Sequence, residues 1–120
     1  MAEKKSLDEI SELDNRYNPK AVRFVYEGLG YTIRKLAGGQ PGHITGQTLC
    51  EGLRLLSLEK WGMLSLLVLN TWGIKTTRDL GEIVYLLIRH SWMKAQSTDT
   101  IDDFNTVFDL KSVLNDEFKF

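Results

Sequence analysis

Cysteine occurs once in this chain of 120 residues, and proline and histidine twice each. A lone Cys50 rules out an internal disulfide and any zinc site built on several thiolates, and it fits a reducing compartment. His43, Cys50 and His90 do not fall at HxH, CxxC or HExxH spacing, so no compact metal motif can be written. Apolar runs such as Leu66–Leu69 stop far short of the ~20 residues that span a bilayer. The opening MAEKKSLDEISELDN has no apolar segment of secretory type. No Pro- or Ser-rich linker divides the chain. A cytoplasmic protein is expected, with residues 1–120 as one domain, and 1–17 and 111–120 as loosely docked ends. No cofactor is implied.

What is present is an ordinary globular composition, 42% hydrophobic and 26% charged. The net charge of -1 hides a pattern. Residues 1–15 carry -3, residues 16–94 carry +6 and residues 95–120 carry -4. Either the acidic ends fold back onto the basic middle, or the middle offers a modest surface for a polyanion.

Helical periodicity dominates. Ser6 and Glu9 form a capping box ahead of Leu7, Ile10 and Leu13. Asn18-Pro19 starts a second helix carrying Val22, Val25, Tyr26, Leu29, Ile33 and Leu36, with Gly28 and Gly30 as weak points. The run Gly38-Gly39-Gln40-Pro41-Gly42 ends it. Thr45 caps a helix with Leu49, Leu53 and Leu56 on one face, closing at Trp61-Gly62. A short apolar helix follows from Met63 and closes at Trp72-Gly73. Thr76 with Asp79 then starts the segment TRDLGEIVYLLIR, whose aliphatic side chains cover an arc of about 200°. Arg78, Glu82 and Arg89 form a thin polar strip bordered by Tyr85. Beyond His90, residues 91–96 and 105–110 read as two short strands. The expected fold is mainly α, a bundle of about five helices with a C-terminal β-hairpin, in a winged-helix-like order.

That order raises duplex reading by the helix after Thr77. Its face is aliphatic where a recognition helix is polar, and the wing position STDTIDDF is acidic where phosphate would lie. This helix is better read as the centre of the domain. His43 with Cys50 across a helix start is a minimal nucleophile pair, set against Cys50 as a small core residue. Asp99, Asp102 and Asp103 are a candidate oxygen site for a cation, set against turn capping.

Several stretches together resemble a family of bacterial proteins of planctomycete and verrucomicrobial type that has no established activity. They are Tyr17 with Ala21, Phe24 and Val25; Leu29-Gly30-Tyr31-Thr32; and His43-Ile44-Thr45-Gly46-Gln47 leading to Glu51-Gly52-Leu53-Arg54. Trp72-Gly73-Ile74, Thr77 to Val84, Asp99 and Asp103-Phe104 complete the pattern. The resemblance implies no mechanism, but it directs attention to His43, Gln47, Arg54, Glu82 and Asp103. With Arg78, Tyr85 and Arg89 these are the candidate interaction residues, and the tail ending Phe118-Lys119-Phe120 is a further anchor. Three functions are therefore weighed. The first is a non-enzymatic protein-interaction or regulatory module with a protein partner. The second is a nucleic-acid-associated protein using Arg16, Lys20, Arg23, Arg34 and Lys35. The third is a small enzyme using His43 with Cys50.

Overall fold

The computed structural model describes residues 5–36, 38, 44–94 and 100–116. Six α-helices are found among them: α1 (Leu7–Asp14), α2 (Pro19–Leu36), α3 (Gly46–Trp61), α4 (Ser65–Thr71), α5 (Thr77–Arg89) and α6 (Leu110–Asp116). Two short 3-10 turns, Gly62–Leu64 and Ile101–Phe104, join α3 to α4 and precede α6.

The helix starts lie where local chemistry places them. Ser6 and Glu9 exchange side-chain and backbone hydrogen bonds, and Thr76 and Asp79 do the same. Thr45 accepts from the Thr48 amide. Each device satisfies an amide that the first helical turn leaves without a partner. Gly62 and Gly73 close α3 and α4 with φ of 55° and 94°, values that cost a side-chain-bearing residue dearly.

One apolar core holds these helices together. It contains Ile10 from α1, Ala21, Val22, Phe24 and Val25 from α2, and Leu49, Cys50, Leu53 and Leu56 from α3. Helix α5 adds Leu80, Ile83, Val84, Leu86 and Leu87, all buried, and packs on α2, α3 and the 3-10 turn Ile101–Phe104. The aliphatic arc of this helix is thus spent on the core, as its pattern requires.

Three glycines set how closely elements approach. A Cβ on Gly52 would lie 1.8 Å from Thr32 Oγ1, and one on Gly28 would lie 2.1 Å from Leu53 Cδ2. So α2 and α3 cross at glycine on both helices, and α2 runs unbroken through Gly28 and Gly30. Gly81 plays the same part on α5, where a Cβ would lie 2.6 Å from Phe104 Cβ. The glycines that looked like weak points in α2 include one that fixes its packing.

The expected C-terminal hairpin is not formed, and with it goes the winged-helix arrangement. No strand occurs among the described residues, and Ala95 to Asp99 lie outside them. After α5 the chain is taken up by helix termination: Ser91 has φ of 68°, and the Trp92 amide donates back to the Leu87 carbonyl at 2.8 Å. Thr100 and Asp103 then form a capping box that starts a 3-10 turn. The Val113 amide reaches the Asp109 carbonyl, so α6 begins where a second strand was read. Backbone donors bonded locally in this way are not open to a ladder.

Candidate interaction surface

The strip on α5 does exist, and two of its charges, Arg78 and Glu82, are engaged within the molecule. Arg78 donates to Asp102 Oδ1 at 2.8 Å, to Asn105 Oδ1 at 2.9 Å and to Glu82 Oε2 at 3.4 Å. Glu82 also accepts from Arg16 at 3.3 Å, and Arg16 forks onto both oxygens of Asp14 at 2.9 and 3.0 Å. The result is a ladder running from the end of α1 across α5 to the second 3-10 turn. The Arg78 guanidinium is held more basic than usual, first by Asp102. Arg23 likewise donates to both carboxylate oxygens of Asp8. Of the two readings of the charge pattern, the geometry carries the first: Asp8, Asp14 and Asp102 from the acidic ends meet Arg23, Arg16 and Arg78 of the middle.

The other predicted residues are dispersed. Gln47 Nε2 donates to the Asp103 carbonyl at 3.1 Å, tying the start of α3 to the 3-10 turn. The Asp103 side chain caps that turn through the Thr100 amide. Arg54 pairs with Glu51 one turn before it on α3, through Nε at 3.0 Å, and holds the Glu51 carboxyl below the usual range. Tyr85 is half-buried against the core rather than presented as an anchor, and Arg89 is exposed in the last turn of α5. His43, Asp99 and Phe118–Phe120 lie outside the described residues. The aspartates of the candidate cation cluster that are described serve different partners, Asp102 on Arg78 and Asp103 on Thr100. Among the described residues no three His, Cys, Asp or Glu side chains gather.

Cys50 is fully buried, and burial pushes its thiol up to about 12. A nucleophile needs the opposite shift. Asp79 is similarly committed, accepting from Tyr17 Oη at 2.7 Å and from the Lys75 and Thr76 amides at 2.9 and 3.1 Å.

Two concavities lie among the described residues. A groove of about 570 Å³ opens between the start of α5 and residues 105–110. The hydroxyl of Thr77, on its wall, donates to the Phe104 carbonyl at 2.7 Å and accepts from the Val107 amide, so it is already satisfied. A shallow cleft of about 160 Å³ lies over Phe24, Trp61 and Trp72. Those rings pack edge to face or tilted, with the two indole centroids 5.2 Å apart, and Lys60 at the rim is bonded to Glu27.

The segment that follows Trp61 carries a further exposed surface. Met63, Leu64 and Leu67 are 59%, 55% and 63% exposed, on the 3-10 turn and first helical turn of α4. Spacing of three and four residues sets Leu64, Leu67 and Thr71 along one side of the helix. The opposite side is turned inward, with Ser65 and Leu69 buried. The signal was legible as an absence: from Trp61 to Ile74 there is no charged residue, between Lys60 and Lys75. Its hydroxyls are also bonded within the fold, Ser65 to the Ser57 and Gly62 carbonyls and Thr71 to the Leu67 carbonyl at 2.7 Å.

What the fold and this surface define is a small α-helical protein with an exposed apolar ridge. No helix among the described residues is long and apolar enough to cross a membrane. No family model, curated protein or solved structure matches the chain.

Proposed function

We propose that this chain is a non-enzymatic interaction module that docks a protein partner on the ridge Met63–Leu64–Leu67. The observation that carries this reading is the coincidence of three large, more than half-exposed apolar side chains with a 14-residue stretch free of charge. Scattered exposed side chains such as Leu13 and Leu36 are ordinary, whereas a contiguous apolar patch marks a contact surface. The two other functions weighed at the outset gain no such support. Arg16 and Arg23 of the basic segment are engaged by carboxylates, which leaves less charge for phosphate. Cys50 is held neutral, away from a nucleophile's requirement.

The test is a photo-crosslinking residue placed at Leu67 or Met63 in the host cell, with Leu13 as an equally exposed control. The reading expects a discrete adduct from the ridge positions, lost when Leu64→Glu is added, and none from position 13. Equal or absent adducts at all three positions would refute it.

A further inference from the structure

We propose that the cleft over Phe24, Trp61 and Trp72 is a binding site for a small aromatic carboxylate. Its walls come from three elements, two of which end in the same way. Trp61 and Trp72 each stand directly before a positive-φ glycine, Gly62 or Gly73, at the end of a helix. Both indoles meet beside Phe24, with centroids 5.2 Å from each other and 5.2 and 6.1 Å from its ring. On α2, Lys20, Arg23 and Glu27 recur at helical spacing, so they share the Phe24 side of that helix and form the rim together with Lys60. The site stands on other side chains than the docking ridge, and either reading can fail without the other.

The lining selects the ligand. Apart from Glu27 its polar side chains are donors, three of them cationic and two of them indoles. Neither indole N–H has a hydrogen-bond partner among the described residues, and neither is sealed from water. Glu27, the one side-chain acceptor of the lining, is engaged by Lys60 at 3.0 Å. Arg23 is engaged by Asp8, which leaves Lys20 exposed and without an ion pair among the described residues. One uncompensated positive charge beside half-exposed indoles fits a monoanion that carries a ring. A cation fits badly, although aromatic clusters often hold one. Three positive side chains rim the site, and the rings pack on one another rather than around a space. The volume of about 160 Å³ admits one ring with its carboxylate and falls short of the several hundred Å³ of a larger ligand's pocket. So small a contact binds weakly, with half-saturation on the order of 1 mM.

Proton–nitrogen NMR of the full chain, titrated with phenylacetate at neutral pH, reads this at the indole N–H signals. Those of Trp61 and Trp72 should move together, half-way at on the order of 1 mM. The signal of Trp92 should stay, since that indole is outside the cleft and donates to the Lys5 carbonyl at 2.7 Å. Lys20→Glu should weaken binding about 5-fold, the scale of a charge change at an exposed site, and Lys20→Gln by less. Lys20 is exposed, so both variants keep the fold, and unchanged amide signals elsewhere check it. Benzylammonium, with the same ring and the opposite charge, should leave both indole signals in place. No movement with phenylacetate up to about 20 mM overturns the proposal. So does an equal response to benzylammonium, a titration indifferent to Lys20→Glu, or an equal shift at Trp92.

Discussion

Replacing a helical glycine by alanine ordinarily stabilises a helix by about 1 kcal/mol. In this fold the same change should have opposite signs at two positions. Gly52 lies where α3 crosses α2, and a Cβ there would meet Thr32 Oγ1 at 1.8 Å, Thr32 Cβ at 2.8 Å and Thr32 Cγ2 at 3.1 Å. Thr32 is fully buried, and its hydroxyl is anchored on the Gly28 carbonyl at 2.7 Å. Turning its side chain brings one branch in as the other leaves, and its Cβ cannot move without α2. The helices must separate, an overpacking cost of about 1–3 kcal/mol against the gain of about 1. Gly52→Ala should therefore lose on the order of 1 kcal/mol net, and more if the helices resist separating, with a melting temperature lower by about 4 °C per kcal/mol. At Gly30 a Cβ would meet only the Arg34 guanidinium end at 3.3 Å, an exposed group free to swing away. Gly30→Ala should gain up to about 1 kcal/mol. Urea unfolding followed by far-ultraviolet circular dichroism measures both. A Thr32→Ala background should lighten the Gly52→Ala cost by about 1 kcal/mol, as directly contacting residues do. If both alanines stabilise the protein equally, the close crossing of α2 and α3 is wrong.

Alkaline pH offers another check. Folding raises the Cys50 thiol from 9.0 to about 12, so its contribution is whole below about pH 9 and is lost as pH rises towards 12, by up to about 1.4 kcal/mol per unit. The buried Tyr17 hydroxyl is pushed the same way, by burial and then by Asp79, so Cys50→Ala should flatten the decline without abolishing it; identical pH profiles would refute the burial argument. In the native protein Cys50 should react with a thiol reagent only as fast as the fold opens, and rapid labelling would contradict its enclosure. Thr76→Ala should cost about 1 kcal/mol through the lost N-cap. Asp79→Ala should cost about 2 kcal/mol, because it also strips the acceptor from the Tyr17 hydroxyl and from two amides; the reverse order in chemical denaturation would show that Asp79 acts only as a cap.

The helices were legible because their causes are local. Ser6, Thr45 and Thr76 sit beside the amides they cap, and the aliphatic spacing after Thr77 marks a buried helix whatever it packs against. Local patterns are ambiguous at the C-terminal end: NTVFDL has β-forming residues, but the Asp109 carbonyl accepts from the Val113 amide and the helix starts at Leu110. The partners of the candidate residues were not legible because they are distant in sequence. Arg78 meets Asp102 and Asn105, Arg16 meets Glu82, and Gln47 meets the Asp103 carbonyl, so these polar groups brace the fold. No spacing rule reports such pairs.

By itself, then, the sequence determined the kind of protein this is. Periodicity of 3.6 residues with capping chemistry made it helical, and one cysteine excluded disulfide or thiolate-metal staples. Only the tertiary structure decided which polar residues are consumed internally and which apolar ones are left outside. A hydrophobic pattern says that a face must be covered, while whether it is covered depends on how many neighbours reach it. α5 is enclosed by α2, α3 and the 3-10 turn, whereas α4 packs chiefly on α3 and α6, leaving Leu64 and Leu67 in water.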